Sequence, residues 1–491
     1  MVRAGCGDPP SPLNSSFPNV LIIGDSISMG ASGYSLYVKS LLGRPGYELA
    51  QVQHSGGFGS GGQAADTKNG MACVDHWLGG MMWDVITVNF GIHDCNAGKP
   101  EYNPPDAYSK NLQTILSKVK NATKQAFFVT TTPNGGVFHP DCIVEYNRLA
   151  LQVTDALGIG VVDLSAYVYA YCGADYTLCP IQLDNNVHFT TRPPRPSGQQ
   201  YTALAVARAV LDALPWNSSN RSGSEADASE AEATHPCGRP PAALSTEKPN
   251  VLIIGDSISG DHLGYGPLVR DILELRGGPA GGANGSLAAV QHNGGWTAEG
   301  ATPRDQQAGA TTVGVKCIDS WLGSELWDVI SFNFGIHDCE GGSQFTEPDV
   351  YRANLESIAR SARSRLKEGG TLIWTSTTPP PFPEATDKAT VACVSQRNAI
   401  AKEALLPFNV VVNDLHAEMN AVCGVNFTSC SLQLPGHNVH PTPAGRQFLA
   451  IKTASVIAPF LNVKSATMLP QFAQDDVAPM LDIEFPTVVV I

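Results

Sequence analysis

The chain contains the same nine-residue phrase twice, and this repeat constrains its fold more than any other feature. Residues 20–28 and 251–259 both read Val-Leu-Ile-Ile-Gly-Asp-Ser-Ile-Ser. An identical phrase at two distant positions indicates two copies of one folding unit. In each copy an apolar run enters a Gly-Asp-Ser turn, which can expose a serine hydroxyl where a strand meets a helix.

The length and composition of the chain also favour two domains. With 491 residues, the chain is too long for one ordinary hydrophobic core. We expect one domain at 17–215, a flexible linker at 216–249, a second domain at 250–463 and a tail at 464–491. The linker is expected because its residues are small, polar and acidic, with a proline-rich end.

The charge of the chain excludes several partners. The formal net charge is −14 and no basic cluster interrupts it, which argues against nucleic acid and anionic membrane surfaces. The sequence has no apolar run of about 18 residues, so we expect no membrane span. The first residues lack the apolar core of a signal peptide, so none is visible in this sequence.

The twelve cysteines predict an oxidising compartment. Six lie between Cys6 and Cys179 and six between Cys237 and Cys430, and their spacing repeats between the copies. We expect three disulfides per unit, with local bridges at Cys172–Cys179 and Cys423–Cys430 and the other pairings left open. Reduced core cysteines are the alternative. Asn-x-Ser/Thr sequons support a secreted glycoprotein; they begin at Asn14, Asn121, Asn217, Asn220, Asn284 and Asn426.

Apolar β-type runs alternate with helical patterns in both units. The predicted strands are 20–23, 49–53, 85–90, 126–131 and 160–164, then 251–254, 288–291, 329–334, 371–375 and 410–414. The predicted helices of the first unit are 34–42, 73–78, 105–120, 144–157 and 197–214. This alternation predicts an α/β fold: two tandem three-layer α/β/α sandwiches, each with a parallel sheet of about five strands. Ligands bind at the carboxyl ends of such strands.

Four short blocks recur in the same order and fall at strand ends or before helices. They are Gly24-Asp-Ser26 and Gly255-Asp-Ser257, Gln53–Gly57 and Gln291–Gly295, Asn89–Asp94 and Asn333–Asp338, and Asn185–Thr190 and His437–Thr442. A serine nucleophile needs a base and donors for the developing oxyanion. His188 can supply the base for Ser26, and His440 can supply it for Ser257. The backbone N–H groups of Gly57 and Gly295 can contribute to the oxyanion donors.

The order of these blocks resembles the SGNH, or GDSL, hydrolase family of serine esterases. The resemblance covers both units and implies a flavodoxin-like sandwich in each. It implies Ser26 and Ser257 as nucleophiles and His188 and His440 as catalytic bases. The family's oxyanion asparagine is replaced by His93 in the first unit and His337 in the second, where a ring N–H can substitute as donor.

The acid that should support each catalytic histidine is missing. The family places Asp three residues before the histidine, and this chain has Asn185 and His437 there. Asp184, one position earlier, or a backbone carbonyl can take the orienting role. Because His437 supplies no negative charge, we expect the first unit to be the more active one.

These features predict a secreted serine esterase that hydrolyses O-acyl esters, acetyl or short-chain, on carbohydrate or a small molecule. A weakened or inactive carbohydrate-binding or structural protein on the same fold is one alternative; a lipid esterase or thioesterase is another. No cofactor or metal is expected, because no partner Glu follows the His437-x-x-His440 pair and unit one has Asn185 at the position of His437. We expect Asp25, Asp94, Asp256 and Asp338 to be structural. For His54 and His292, pocket and core roles remain open.

Overall fold

The structure, a computed structural model, contains two compact units. Described residues up to Pro215 form unit one, and those from Cys237 onward form unit two. The structure describes residues 6–29, 33–55, 66–133, 140–173, 179–183, 186–190, 198–215, 237, 241–260, 264–274, 287–293, 309–341, 344–381, 389–424, 427, 430–434 and 439–461. The domain limits expected from composition stay predictions.

Unit one contains a five-stranded parallel sheet in the order β2-β1-β3-β4-β5. Its strands are Asn19–Gly24 (β1), Gln51–Ser55 (β2), Trp83–Asn89 (β3), Thr123–Val129 (β4) and Gly160–Val162 (β5). Its helices are Ser35–Leu42 (α1), Thr67–Leu78 (α2), Pro105–Asn121 (α3), Pro140–Leu157 (α4), Leu164–Cys172 (α5) and Gly198–Ala213 (α6).

Unit two has an equivalent parallel sheet in the order β10-β9-β8-β6-β7. Its strands are Asn250–Ile254 (β6), Ala289–Asn293 (β7), Trp327–Phe332 (β8), Leu366–Thr375 (β9) and Val411–Asn413 (β10). Its helices are Ser257–Gly260 (α7), Gly266–Glu274 (α8), Thr311–Leu322 (α9), Pro348–Ser364 (α10), Val391–Ala404 (α11), Leu415–Cys423 (α12) and Pro443–Ile457 (α13). Short 3₁₀ helices span His337–Cys339, Leu406–Phe408 and Ala458–Phe460. The predicted α/β fold class is confirmed.

The strand order places a topological switch point beside the first strand of each unit. In unit one, β1 lies between β2 and β3. The chain therefore runs from β1 to the neighbouring strand on one side and then crosses over to the neighbouring strand on the other side. With right-handed crossovers, the helices that follow β1 and β2 then lie on opposite faces of the sheet. Sheets of this kind bind ligands at the carboxyl ends of the strands beside the switch point, which in unit one are β1 and β3.

Matched tryptophans anchor the core of each unit. Trp77 and Trp83 in unit one, and Trp321 and Trp327 in unit two, are almost wholly buried. The Trp77 indole N–H donates to the carbonyl of Cys6, and that of Trp83 donates to the carbonyl of Leu78. The indole N–H of each of these four side chains has a hydrogen-bond partner, as burial requires.

The structure adds one helix per unit that the sequence pattern did not predict. The strand expected at 160–164 ends at Val162, and the carboxylate of Asp163 accepts from the N–H of Ala166, which starts α5. Asp414 caps α12 in the same way, through the N–H of Ala417. Both helices are rich in apolar residues around their circumference, so they show little of the 3.6-residue periodicity by which helices are recognised.

Six disulfides join the twelve cysteines, three in each unit. The two expected local bridges, Cys172–Cys179 and Cys423–Cys430, are present. The pairings that the sequence left open are Cys6–Cys73, Cys95–Cys142, Cys237–Cys317 and Cys339–Cys393. The connectivity is therefore the same in both units.

The segment that precedes β6 is bound to the rest of unit two. The N–H of Ala242 donates to the side-chain oxygen of Gln291 at 2.8 Å, and the N–H of Ser245 donates to that of Asn250 at 2.8 Å. The Cys237–Cys317 bridge attaches the segment a third time. Within the described ranges, every helix is too short or too polar to span a bilayer.

We expect the longest-range bridge of each unit to stabilise that unit alone. The Cys6–Cys73 and Cys237–Cys317 bridges close loops of 67 and 80 residues, and removing such a bridge costs about 2–5 kcal/mol. The C6S/C73S and C237S/C317S variants should each lower the midpoint temperature of one of two calorimetric unfolding transitions and leave that of the other unchanged. Transitions unchanged in both variants would contradict these pairings.

Candidate active site

Ser26 lies in a tight turn at the carboxyl end of β1. The turn is held by the carbonyl of Asp25, which accepts from the N–H groups of Ser28 at 3.1 Å and Met29 at 3.0 Å. Gly24 is required at its entry, because a Cβ there would lie 2.8 Å from the carbonyl oxygen of Asn89 on β3. The first strand therefore delivers the serine to the switch point with little freedom.

Unit two builds the same turn with the same residues. Ser257 follows β6 and opens α7, and the carbonyl of Asp256 accepts from the N–H groups of Ser259 and Gly260. Both serines are largely buried, at 5% exposure for Ser26 and 6% for Ser257. Reaction at either oxygen is thus shielded from bulk water.

His188 is positioned by a short antiparallel bridge that precedes α6. Gln182 pairs with Phe189 across this bridge, and the N–H of Leu183 donates to the carbonyl of His188 at 3.0 Å. In unit two Gln433 pairs with Pro441, and the N–H of Leu434 donates to the carbonyl of His440 at 3.0 Å. The nearby Cys172–Cys179 and Cys423–Cys430 bridges restrict the chain just before each histidine.

The structure brings each predicted serine together with its predicted histidine. The distance from His188 Nε2 to Ser26 Oγ is 2.7 Å, and that from His440 Nε2 to Ser257 Oγ is 2.8 Å. Both are hydrogen-bond distances, and they join residues far apart in the sequence. A ring nitrogen so placed can take the serine proton as the oxygen attacks.

Asn186 orients His188, a role that the sequence did not reveal. Its side-chain Oδ1 lies 2.7 Å from His188 Nδ1 and 3.0 Å from the backbone nitrogen of His188. A backbone N–H can only donate, so the amide atom facing both nitrogens is the oxygen. Nδ1 then carries the ring proton and Nε2 is left bare, which is the tautomer that accepts from Ser26.

The orienting residues proposed from the sequence lie outside the described residues. This holds for Asp184 and Asn185 in unit one and for His437 in unit two. The signal that could have found Asn186 is the phrase Asn-Val-His, which ends at the catalytic histidine in both copies, at 186–188 and 438–440. An amide supplies the acceptor for Nδ1 but no negative charge to stabilise an imidazolium.

Burial keeps His188 in its neutral form. Desolvation lowers the pKa of His188 below the ordinary value of 6.5. With a bare Nε2 and a depressed pKa, the ring is a competent base at neutral pH but a weaker one than a carboxylate-supported histidine.

The two expected oxyanion histidines differ in charge environment. Burial lowers the pKa of His93. The charges of Glu101 and Asp66 oppose this shift, and the nearby charge of His188 adds to it. His337 instead has a raised pKa and an ion pair of its own, from Nδ1 to Glu340 at 2.7 Å. The other expected donors, Gly57 and Gly295, lie outside the described residues.

His54 and His292 hold the second strand of each unit to the nucleophile turn. The Nε2 of His54 lies 3.1 Å from Ser28 Oγ, and that of His292 lies 3.4 Å from Ser259 Oγ. Burial lowers the pKa of His54 to about 4 and, with the charge of Arg270, that of His292 to about 3. Both rings are thus neutral, and these contacts favour the structural role over pocket chemistry.

The buried aspartates of the blocks also hold structure together. Asp94 accepts from the N–H and hydroxyl of Thr67, at the start of α2, and from the side-chain amide of Asn103. Asp25 accepts from the N–H of Ile27 at 2.8 Å. Burial raises the pKa of Asp94 to about 7 and that of Asp25 to about 8. Among the described residues, no group of three or more His, Cys, Asp or Glu could hold a metal ion.

Sequence comparison finds a family model that matches part of unit two. Residues 251–452 match the model described as GDSL-like Lipase/Acylhydrolase, which is less than half of the chain. The resemblance to GDSL hydrolases is therefore confirmed, and with it the class of serine ester hydrolase. No curated protein sequence matches the chain.

Several solved GDSL-type and related hydrolase structures are similar to part of the chain. A lipase/acylhydrolase from Enterococcus faecalis shares 19% identity over 40% of this chain and 97% of its own, with a TM-score of 0.34. An alpha/beta hydrolase enzyme from a Lake Arreo metagenome shares 19% over 39% and 94%, with a TM-score of 0.33. An acetylxylan esterase from Geobacillus stearothermophilus shares 18% over 40% and 93%, with a TM-score of 0.29.

In this GDSL-like chain, the charge next to Nδ1 of His188 should set the pKa of the ring. The NMR titration of His188 should give a pKa below 6.5 in the native protein, so the neutral base persists as pH falls toward that value. The N186D variant places a carboxylate at Nδ1 and should raise the pKa by about one unit or more. The isosteric N186L variant removes the acceptor without adding charge and serves as the control. A pKa unmoved by N186D would show that Asn186 does not contact the ring in solution.

Proposed function

We propose that both units are serine esterases that form an acyl-enzyme on Ser26 and Ser257. The observation that carries this proposal is the serine–histidine contact, at 2.7 Å in unit one and 2.8 Å in unit two. The family of residues 251–452 agrees with it. The repeated blocks extend the proposal to unit one.

The reaction in unit one begins when Ser26 Oγ attacks the ester carbonyl carbon. The new C–O bond forms as the hydroxyl proton moves to His188 Nε2, and the carbonyl electrons move to the oxygen. The backbone N–H groups of Ser26 and Gly57 and the ring of His93 are the proposed donors to that oxyanion. The intermediate then expels the alcohol, which takes the proton from Nε2 and leaves an acyl-serine.

Water completes the cycle by the same steps in reverse order. His188 Nε2 takes a proton from the water as its oxygen attacks the acyl carbon, and Ser26 leaves with that proton. Asn186 keeps Nε2 bare before each step, because its amide oxygen holds the ring proton on Nδ1. In a serine protease, replacing the triad Asp by Asn costs about 10⁴ in rate by holding the wrong tautomer. Asn186 holds the right one, so we expect a smaller loss.

The proposed substrates are O-acyl esters with acetyl or short-chain groups, attached to carbohydrate or another small molecule. The resemblance to the SGNH hydrolase family favours small acyl groups, and the sequence has no long apolar lid of the kind that favours a lipase. We also propose that the protein works outside the cell. The six disulfides and the exposed sequon residue Asn121 support that location.

The alternative is a carbohydrate-binding or structural protein on a fold that has lost its activity. The absence of an acid three residues before each histidine favours it. In a decayed site nothing maintains the alignment of serine and histidine, whereas both units keep it within hydrogen-bond distance. Esterase activity is therefore the function that the site supports best.

Hydrolysis of a short-chain aryl ester by three serine variants tests the proposal. Unit one should contribute the larger share, so S26A should remove more than half of the rate and S257A less. The S26A/S257A double variant should fall by at least about 10³-fold. Ser28→Ala is not a suitable control, because Ser28 holds the turn. Ser109→Ala on α3, which removes only a hydrogen bond to the carbonyl of Pro105, should leave the rate unchanged. A double variant that retains the native rate would overturn the proposal.

A further inference from the structure

One carboxylate distinguishes the site of unit two from that of unit one. Glu340 follows the short helix His337–Cys339, and its Oε2 lies 2.7 Å from His337 Nδ1. The pair is partly shielded, with side-chain exposures of 15% for His337 and 29% for Glu340. In unit one the equivalent residue, three positions after His93, is Asn96, which cannot form an ion pair with that histidine.

The hydrogen bond to Glu340 determines whether Nε2 of His337 can donate a hydrogen bond. A carboxylate only accepts, so Nδ1 must carry a proton. If the ring is neutral, Nε2 then has a lone pair and would repel a developing oxyanion. If the ring is protonated, Nε2 carries a proton as well and can donate. Nε2 is buried and has no hydrogen-bond partner among the described residues.

The groups around His337 favour its charged form. Burial lowers its pKa, but the hydrogen bond to Glu340 and the charges of Asp256, Glu340 and Asp338 together raise it above 6.5. Asp256 precedes the nucleophile Ser257, which places the ring beside the nucleophile turn. From α11, which packs against the short helix, Arg397 acts on Asp338: burial raises the pKa of Asp338 and the guanidinium opposes that shift. In unit one, burial dominates and the pKa of His93 is lowered.

We propose that unit two uses a cationic histidine, His337 paired with Glu340, as its oxyanion donor, whereas unit one uses neutral His93. This inference rests on the proposed esterase function. A charged donor makes a stronger hydrogen bond to an oxyanion than a neutral one, in a site that is shielded from water. Glu340 is a positioning residue, because it acts on the oxyanion only through His337.

The consequence is a different pH range for each unit. Unit two needs a neutral His440 to take the serine proton and a protonated His337 to donate. Its kcat therefore falls at low pH as His440 gains a proton, and falls again at high pH as His337 loses one. Unit one needs neutral His188 and neutral His93, so its kcat falls only at low pH. Only unit two is therefore expected to lose activity at high pH.

The experiment measures kcat and KM against pH for a short-chain aryl ester, one unit at a time in the full chain. The S26A protein reports unit two and the S257A protein reports unit one. E340Q in the S26A protein should lower kcat at pH 7 by about tenfold or more and shift the alkaline limb to lower pH, with little change in KM. H337N supplies a donor that does not titrate, so the alkaline limb should disappear while hydrolysis persists.

The matched variant in unit one is N96E in the S257A protein. It supplies the carboxylate that unit one lacks and should raise the pKa of His93 and create an alkaline limb. NMR titration of His337 and His93 gives the charge of each ring independently of turnover. His337 should titrate above 6.5 and move down in E340Q.

The outcomes separate the inference from the proposed function. Hydrolysis by the S26A protein with a pH profile that E340Q and H337N leave unchanged would overturn the inference alone. A His337 ring that titrates below 6.5 in the native protein would do the same. An S26A protein and an S257A protein that are both folded but show no hydrolysis would overturn the proposed function and the inference with it.

Discussion

The hydrogen bond between a serine on the first strand and a histidine near the last helix is the contact on which each site depends. In unit one it joins Ser26 to His188 across 162 residues, and in unit two it joins Ser257 to His440 across 183. The other four strands of each sheet lie between the two partners in sequence. The parallel topology brings them together, because the first strand lies at the switch point and the histidine loop returns to the same edge.

The rest of each unit serves to hold these two side chains in place. The close packing of Gly24 against β3 fixes the direction in which the serine leaves the strand. The antiparallel bridge before the last helix, with its neighbouring disulfide, fixes the histidine. Asn186 then decides which ring nitrogen is bare. A neutral amide thus takes over the orienting part of the missing acid's role and leaves the electrostatic part unfilled.

The two units show how a repeated scaffold can diverge through charge alone. Their nucleophile turns are identical in sequence and their disulfides have the same connectivity. The difference lies just after the third block, where unit two has Glu340 and unit one has Asn96. The pKa of the histidine three residues earlier is raised in unit two and lowered in unit one.

Much of the fold followed from sequence because its signals are local. Short, apolar, β-branched runs ending in Gly-Asp-Ser or Asn-Phe-Gly predicted the central strands, and the spacing of the repeats predicted two units. The helices after Asp163 and Asp414 were missed because apolar residues on all sides conceal their period. Asn186 was missed because its role depends on a turn that aims two donors at one oxygen, which residue spacing alone does not encode.

The central claim is that both serines are activated nucleophiles, and covalent labelling tests it most directly. The folded protein would be treated with a fluorophosphonate, which reacts with serines activated by a base, and the adducts located by peptide mass spectrometry. The account predicts adducts on Ser26 and Ser257, lost after unfolding and lost singly in S26A and S257A. A folded protein with no adduct on either serine would contradict it.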